Sequence, residues 1–319
     1  MNHNETLQAL LQSPEPEIRY KAARLLGEDA AEVAAIRQQI TASRLTEGLL
    51  APRLPDGTIP GHPYKKWDGA HWVLAQLADQ GYPPGDETLI LLRKQVLTWL
   101  LSEEHLATVQ VINGRARRCA SQESNAIYAL LTLELADERV DELVRRLLMW
   151  QWPDGGWNCD RNPEAHISSF HESWIPLRAL SLYARLKQDS TVQAAVECTA
   201  ELFLSRRLFR RLGDSTLMHP SFRQLAYPYY WHYSILGGLK VLAEAGSIHD
   251  PRCAEALDWL EERQLPSGGW PATINHCKVK ASSRASGIPP VSYGGVSVKR
   301  LNEFVTVEAL EVLSAAGRL

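Results

Sequence analysis

The sequence has 319 residues, 45% of them hydrophobic, a formal net charge of −3 and a pI near 6.4. That share of apolar residues supports a large core, and the near-neutral balance excludes a general electrostatic pull toward nucleic acid or an anionic membrane. Five cysteines (Cys119, Cys159, Cys198, Cys253, Cys277) form no C-x-x-C pair and are odd in number, which predicts reduced thiols and a cytoplasmic setting.

Met1-Asn2-His3-Asn4-Glu5 is neither basic nor apolar, so no signal peptide is expected, and no run approaches the roughly 18 apolar residues of a spanning helix. Leu25-Leu26-Gly27-Glu28-Asp29 closes a first helix, and 30–43 reads as the next. Residues 62–81 carry Trp72, Leu74 and Leu77 at helical spacing and stop at Gly81-Tyr82-Pro83-Pro84-Gly85. Asp86 then opens a helix through Leu89, Leu92, Val96 and Leu100. The alternation continues with Ile127 to Leu133 and Leu143 to Leu148, then Trp174 to Leu186 and Val192 to Phe203. It ends with Ile235 to Leu242, a helix restarting after Asp250-Pro251, and Val305 to Leu313. No period-2 apolar pattern predicts a sheet. The segment from Pro271 to Arg300, rich in Ser, Gly and Pro, reads as a long loop, either a lid or partly disordered.

This is a repeat of helix pairs. Trp99, Trp150, Phe203 and Trp259 occupy equivalent places near second-helix ends, 51, 53 and 56 residues apart. Two of these helices run into the same tail, Gln151-Trp152-Pro153-Asp154-Gly155-Gly156-Trp157 and Gln264-Leu265-Pro266-Ser267-Gly268-Gly269-Trp270. Both fit QxxxGxW. In this the sequence resembles squalene–hopene cyclases and, more broadly, the terpenoid cyclase and protein prenyltransferase superfamily, over residues 62–319 and only loosely before. The resemblance implies an all-α fold: one α/α toroid of about five to six helix pairs over 1–319, with the helices of 1–60 closing the ring. It also implies a central cavity for an isoprenoid or similar apolar substrate. An open HEAT-like scaffold is the architectural alternative, suited to Pro16 to Arg24.

The chemistry is less directly written. The DxDD acid motif of the cyclases and the DDxxD motif of class I terpene synthases are absent. The Asp-x-Cys pair with which prenyltransferases hold zinc is replaced at the matching helix opening by Ser168-Ser169-Phe170-His171-Glu172. In such a ring the inner-helix openings face the cavity, which nominates Asp160 and His171 as an acid/base pair, with Asp68, His71 and His232 behind them. Trp67, Trp72, Asn125, Trp157, Phe170, Tyr230 and Trp231 are the candidate substrate walls, since aromatic faces suit an isoprenoid and its cations. A carboxyl in such a cavity would have its pKa raised by desolvation. Ser169-x-x-Glu172 reads as a capping box, which gives Glu172 a structural role. Cys159, Asp160, His166 and His171, with His232 or the Asn275-His276-Cys277 loop, are candidate ligands for zinc, Cys159 and His166 first, and magnesium is the other metal open to such a site. Arg115 and Arg118, beside Arg117 and with Lys299 and Arg300, are candidates for diphosphate oxygens, whereas Arg206, Arg207, Arg210 and Arg211 read as a solvated helix face. The expected partner is a small apolar substrate. A non-catalytic ring that binds lipid or protein is the competing reading.

Overall fold

Apolar residues at helical spacing build fourteen α-helices in the computed structural model, which describes residues 2–277 and 289–319. The fold is all-α apart from one small hairpin. In chain order the helices are α1 (His3–Leu10), α2 (Pro16–Leu26), α3 (Ala30–Gln39), α4 (Arg44–Leu50), α5 (Ala70–Gln80), α6 (Ile90–Leu101) and α7 (Glu103–Leu106). The hairpin β1 (Gln110–Ile112) and β2 (Arg115–Arg117) follows. Then come α8 (Ser121–Thr132), α9 (Glu138–Trp150), α10 (Phe170–Lys187), α11 (Ser190–Leu204), α12 (Ile235–Glu244), α13 (Ala254–Glu261) and α14 (Glu303–Ala315). No helix among the described residues is long and apolar enough to cross a membrane.

Burial separates two kinds of helix. α5, α8, α10, α12 and α14 bury residues around most of their circumference, while α6, α9, α11 and α13 bury one stripe. The first kind pack on one another in succession, α5 on α8, α8 on α10, α10 on α12 and α12 on α14, and each of the first four also packs on the helix that follows it. α14 packs in turn on α1 and α2, so the last helix touches the first ones. Arg37 of α3 donates to the carbonyls of Gly81 and Tyr82 at the end of α5 (2.9 and 3.1 Å).

The two tails bond their tryptophans in the same way. Trp157 Nε1 donates to the Leu147 carbonyl (3.0 Å) and Trp270 Nε1 to that of Leu260 (2.7 Å). Their backbone N–H groups donate to Ser173 Oγ and Thr306 Oγ1, hydroxyls on the next inner helix. The tryptophan thus seals the end of one helix and hooks the start of the next. Gly155 has φ +91°, and a Cβ there would lie 2.2 Å from the Cys198 carbonyl oxygen, so only glycine fits. Gln151 donates to Gly155 and Ala195, while its counterpart Gln264 leaves Nε2 without a partner among the described residues.

Charges are buried where the inner helices meet. Glu308 of α14, fully buried, lies between the ammonium groups of Lys21 (α2) and Lys240 (α12). Burial alone would raise its pKa, but the two cations overcome this and hold it at about 2. Arg178 of α10 bonds Asp79 (2.5 Å), Glu244 (2.9 Å) and the Tyr128 hydroxyl (2.7 Å).

Three sequence expectations change. The helix expected from 62 begins only at Ala70, because Pro63 and Gly69 bracket a tight turn in which Gly69 N–H bonds Lys65 and His71 N–H bonds Pro63. The loop holding Arg115 is a hairpin, turned at Asn113-Gly114, both with positive φ (51° and 72°). Ser169 makes no side-chain cap: the Trp157 carbonyl takes its N–H, which a capping box would leave for Glu172. The middle of the expected 271–300 loop lies outside the described residues.

Candidate functional site at the inner-helix openings

The openings of α5, α8, α10 and α12 meet at one end of the array. Trp67, before α5, stacks on Tyr230, before α12, with centroids 3.7 Å apart. His71 of α5 bonds the Gln122 carbonyl of α8 through Nε2 (2.9 Å). His171 of α10 accepts from the Tyr233 N–H (2.9 Å), which fixes its other nitrogen, Nε2, as the proton-bearing one in the neutral ring.

The aromatic residues expected to line an open cavity pack on themselves. Trp67, Trp72 and Tyr230 form a buried cluster flanked by Tyr64 and Trp231, with the Lys66 ammonium over the rings of Trp67 (5.3 Å) and Trp231 (5.2 Å). Trp67 Nε1, Trp72 Nε1, Tyr230 Oη and Asn125 Nδ2 are buried in this region without a partner among the described residues. Beyond Trp231, His232 stacks on His276 at 3.8 Å. Burial and the neighbouring ring push His232 down to about 3, and burial pushes His276 to about 4. Burial likewise lowers His171, and takes His71 to about 4. All four rings are neutral near pH 7.

Open volume lies to one side. A recess of about 680 Å³ is walled by Pro63, Leu91, Thr98 and Trp99. It adjoins a second, of about 380 Å³, through the shared residues His62, Trp99, His105 and Thr108. The second recess ends at Tyr64, Cys119, Cys159 and the arginines 117, 118 and 161. The groove therefore joins a recess whose apolar wall of Pro63, Leu91 and Trp99 is edged by Lys94, Gln95 and Glu104 to a basic, thiol-bearing one.

Strand geometry decides which arginines are committed. Arg115 and Arg117 share one face of β2, and both guanidinium groups lie over Trp152 (5.6 and 4.5 Å). Arg118 points the other way, to Glu123 (2.6 Å), His105 and Thr108, so it is held in a buried internal network. Arg117 is 3% exposed, and none of its three guanidinium nitrogens has a partner among the described residues. An uncompensated buried cation costs several kcal/mol, so this one lacks an anion.

The floor is pinned by backbone. Arg117 pairs with Asn158 in a single parallel bridge, and Arg118 N–H donates to the Asn158 carbonyl (3.0 Å), which brings Cys119 against Cys159. Glu172 completes the group: one oxygen accepts from Ser121 N–H (3.2 Å) and Oγ (3.0 Å), and the other from the Cys159 thiol (3.6 Å). Burial pushes Glu172 up against these bonds, and the hydrogen bond to Cys159 with burial pushes the Cys119 thiol up.

The remaining candidates are placed apart from this floor or inside the core. Asp160 is exposed and accepts from Asn162 N–H, shaping its own turn rather than sitting in an aromatic cavity, and no hydrogen bond joins it to His171. His166 is exposed and bonds the Glu164 carbonyl, so Cys159 finds Cys119 and Glu172 instead of it. Asp68 pairs with Lys65 (2.7 Å). Trp157 is the tail tryptophan, and Phe170 is core, packed on Phe203, Phe222 and Tyr233. Lys299 and Arg300 are exposed.

No family model and no curated protein matches the chain. What the site does must be read from its own chemistry. The residues that sequence reasoning passed over are Cys119, Glu172 and the unpaired state of Arg117. The Asn113-Gly114 turn was the available signal: a two-residue hairpin there puts Arg115 and Arg117 on one face and Arg118 on the other.

Proposed function

We propose that the chain is a closed α/α toroid of the terpenoid cyclase and prenyltransferase type. We propose further that it is an enzyme acting on an isoprenoid with an anionic head, such as a prenyl diphosphate. The ring reading is supported by the succession of inner-helix contacts, by α14 packing on α1 and α2, which an open HEAT-like array would keep apart, and by the two equivalent tails. The substrate reading rests on Arg117, a buried guanidinium without an acceptor among the described residues, at the basic end of a groove whose other recess has an apolar wall. Leu91, Pro63 and Trp99 hold the chain, and Arg117 with Arg161 meets the head oxygens. His171, with a fixed tautomer, is the better proton-transfer group, and Asp160 serves its loop.

The test is a mass spectrum of organic extracts after incubation with squalene, farnesyl diphosphate and geranylgeranyl diphosphate, with assay of released phosphate. Consumption of a prenyl diphosphate, lost in Arg117→Met and kept in Asp160→Asn, is expected. Conversion of squalene alone, untouched by Arg117→Met, would overturn the substrate class. The packed aromatic cluster at the helix openings favours a second reading, a ring that binds without converting. That protein would retain a prenyl diphosphate through gel filtration and return it unchanged.

A further inference from the structure

We propose that Cys119, Cys159 and Glu172 form a zinc site with three protein ligands and one open position facing the groove. Among the described residues, this is the one group of three or more His, Cys, Asp or Glu side chains whose ligand atoms all lie within 4.8 Å of one another. Two thiols and a carboxylate are the donor set of zinc rather than of magnesium, which takes oxygen ligands in an octahedron.

The spacing suits a tetrahedron. Zinc–sulfur bonds of about 2.3 Å and zinc–oxygen bonds of about 2.0 Å give ligand-to-ligand edges of about 3.5–3.8 Å. Cys159 Sγ and Glu172 Oε1 are 3.6 Å apart without any metal. The ligands come from three segments already held together by other bonds. The 117–158 bridge fixes the two cysteine-bearing strands of chain, and Ser121 N–H and Oγ hold the second oxygen of Glu172. Such outer partners orient a ligating carboxylate. A preformed set of this kind costs little to assemble when the ion arrives.

Charge also balances. Two thiolates and a carboxylate around Zn²⁺ leave one net negative charge. Arg117 brings an uncompensated cation to the same recess. Both cysteines line the 380 Å³ recess, so the fourth position opens there, as in sites where zinc meets water or a substrate atom. The site stands whether or not the substrate is an isoprenoid.

The experiment uses the full chain, reduced and stripped of metal by a chelator, then titrated with Co²⁺ as an optical probe and with Zn²⁺ in competition. One equivalent of Co²⁺ should give a thiolate charge-transfer band and the visible bands of a tetrahedral ion, both abolished by one equivalent of Zn²⁺. Cys119→Ser, Cys159→Ser and Glu172→Gln should each weaken binding at least tenfold, and Cys198→Ser and His166→Ala should leave it unchanged. Far-ultraviolet circular dichroism confirms that each variant is folded. Absence of a stoichiometric band in the wild-type chain overturns the proposal. So does a band that survives in Cys119→Ser and Cys159→Ser, or one that disappears in His166→Ala.

Discussion

Glu308→Gln should be among the most damaging single substitutions in the molecule. The carboxylate is fully buried and is shared by Lys21 and Lys240, both nearly as buried. At an effective dielectric of about 20 a contact pair is worth about 4 kcal/mol, while desolvating each ion costs several kcal/mol, so the intact trio is close to break-even. Glutamine keeps the desolvation of both ammonium groups and discards both attractions. Lys21 retains Glu311 at 3.6 Å, whereas Lys240 is left facing the Tyr229 ring at 6.0 Å. The loss should reach about 5 kcal/mol, the upper end for breaking a buried pair. With a urea m-value of about 3 kcal/mol/M, the unfolding midpoint falls by about 1.7 M. The triple variant Lys21→Met, Glu308→Leu, Lys240→Met, which removes all three charges, should come back to within about 2 kcal/mol of the wild type. A loss under about 1 kcal/mol in Glu308→Gln would refute the reasoning, because the ammonium groups would then be reaching water.

Acid should destabilise the fold well above the range of carboxylate titration. His71 titrates near 4 when folded and near 6.5 when unfolded. Between those values the unfolded chain binds the proton and the folded one does not, so stability falls as pH drops from 6.5 toward 4. The loss is about 3 kcal/mol for this ring alone. Urea midpoints measured from pH 7 to pH 4 should fall by at least that much, and His71→Gln should remove its share of the slope while His171, His232 and His276, also depressed, keep theirs. Gly155→Ala should cost about 3 kcal/mol or more, since its Cβ strikes the Cys198 backbone, while Gly246→Ala, with open space and φ +75°, should cost about 1 kcal/mol by thermal melting. Arg117→Met should leave the melting temperature equal or higher in the absence of ligand, because it removes an unpaired buried charge, and should abolish stabilisation by added diphosphate.

Periodicity and tail chemistry made the helix pairs legible, because they depend on residues within about ten positions of one another. Gln151 and Trp157 announced the turn that Gly155 alone can make, and Trp270 repeated it. The site was harder to read. Cys119 meets Cys159 only through the register at which the 117–119 segment lies along Asn158, which no local pattern encodes. Glu172 stood in a sequence that fits a local cap, yet its partner is Ser121 on another helix. Nothing local pairs Lys21 and Lys240 with Glu308, or Arg178 with Asp79 and Glu244, and these neutralisations exist only after the helices assemble.

The bond between Lys21 and Glu308 spans 287 residues of chain. At about 5–20 residues per second, a ribosome needs roughly 15 to 60 s to make the second partner after the first. During that interval α2 has emerged without the carboxylate that neutralises its lysine and without the α14 surface it packs on. Until α14 is made, α2 therefore carries a lysine destined for burial with no counter-charge to bury it against.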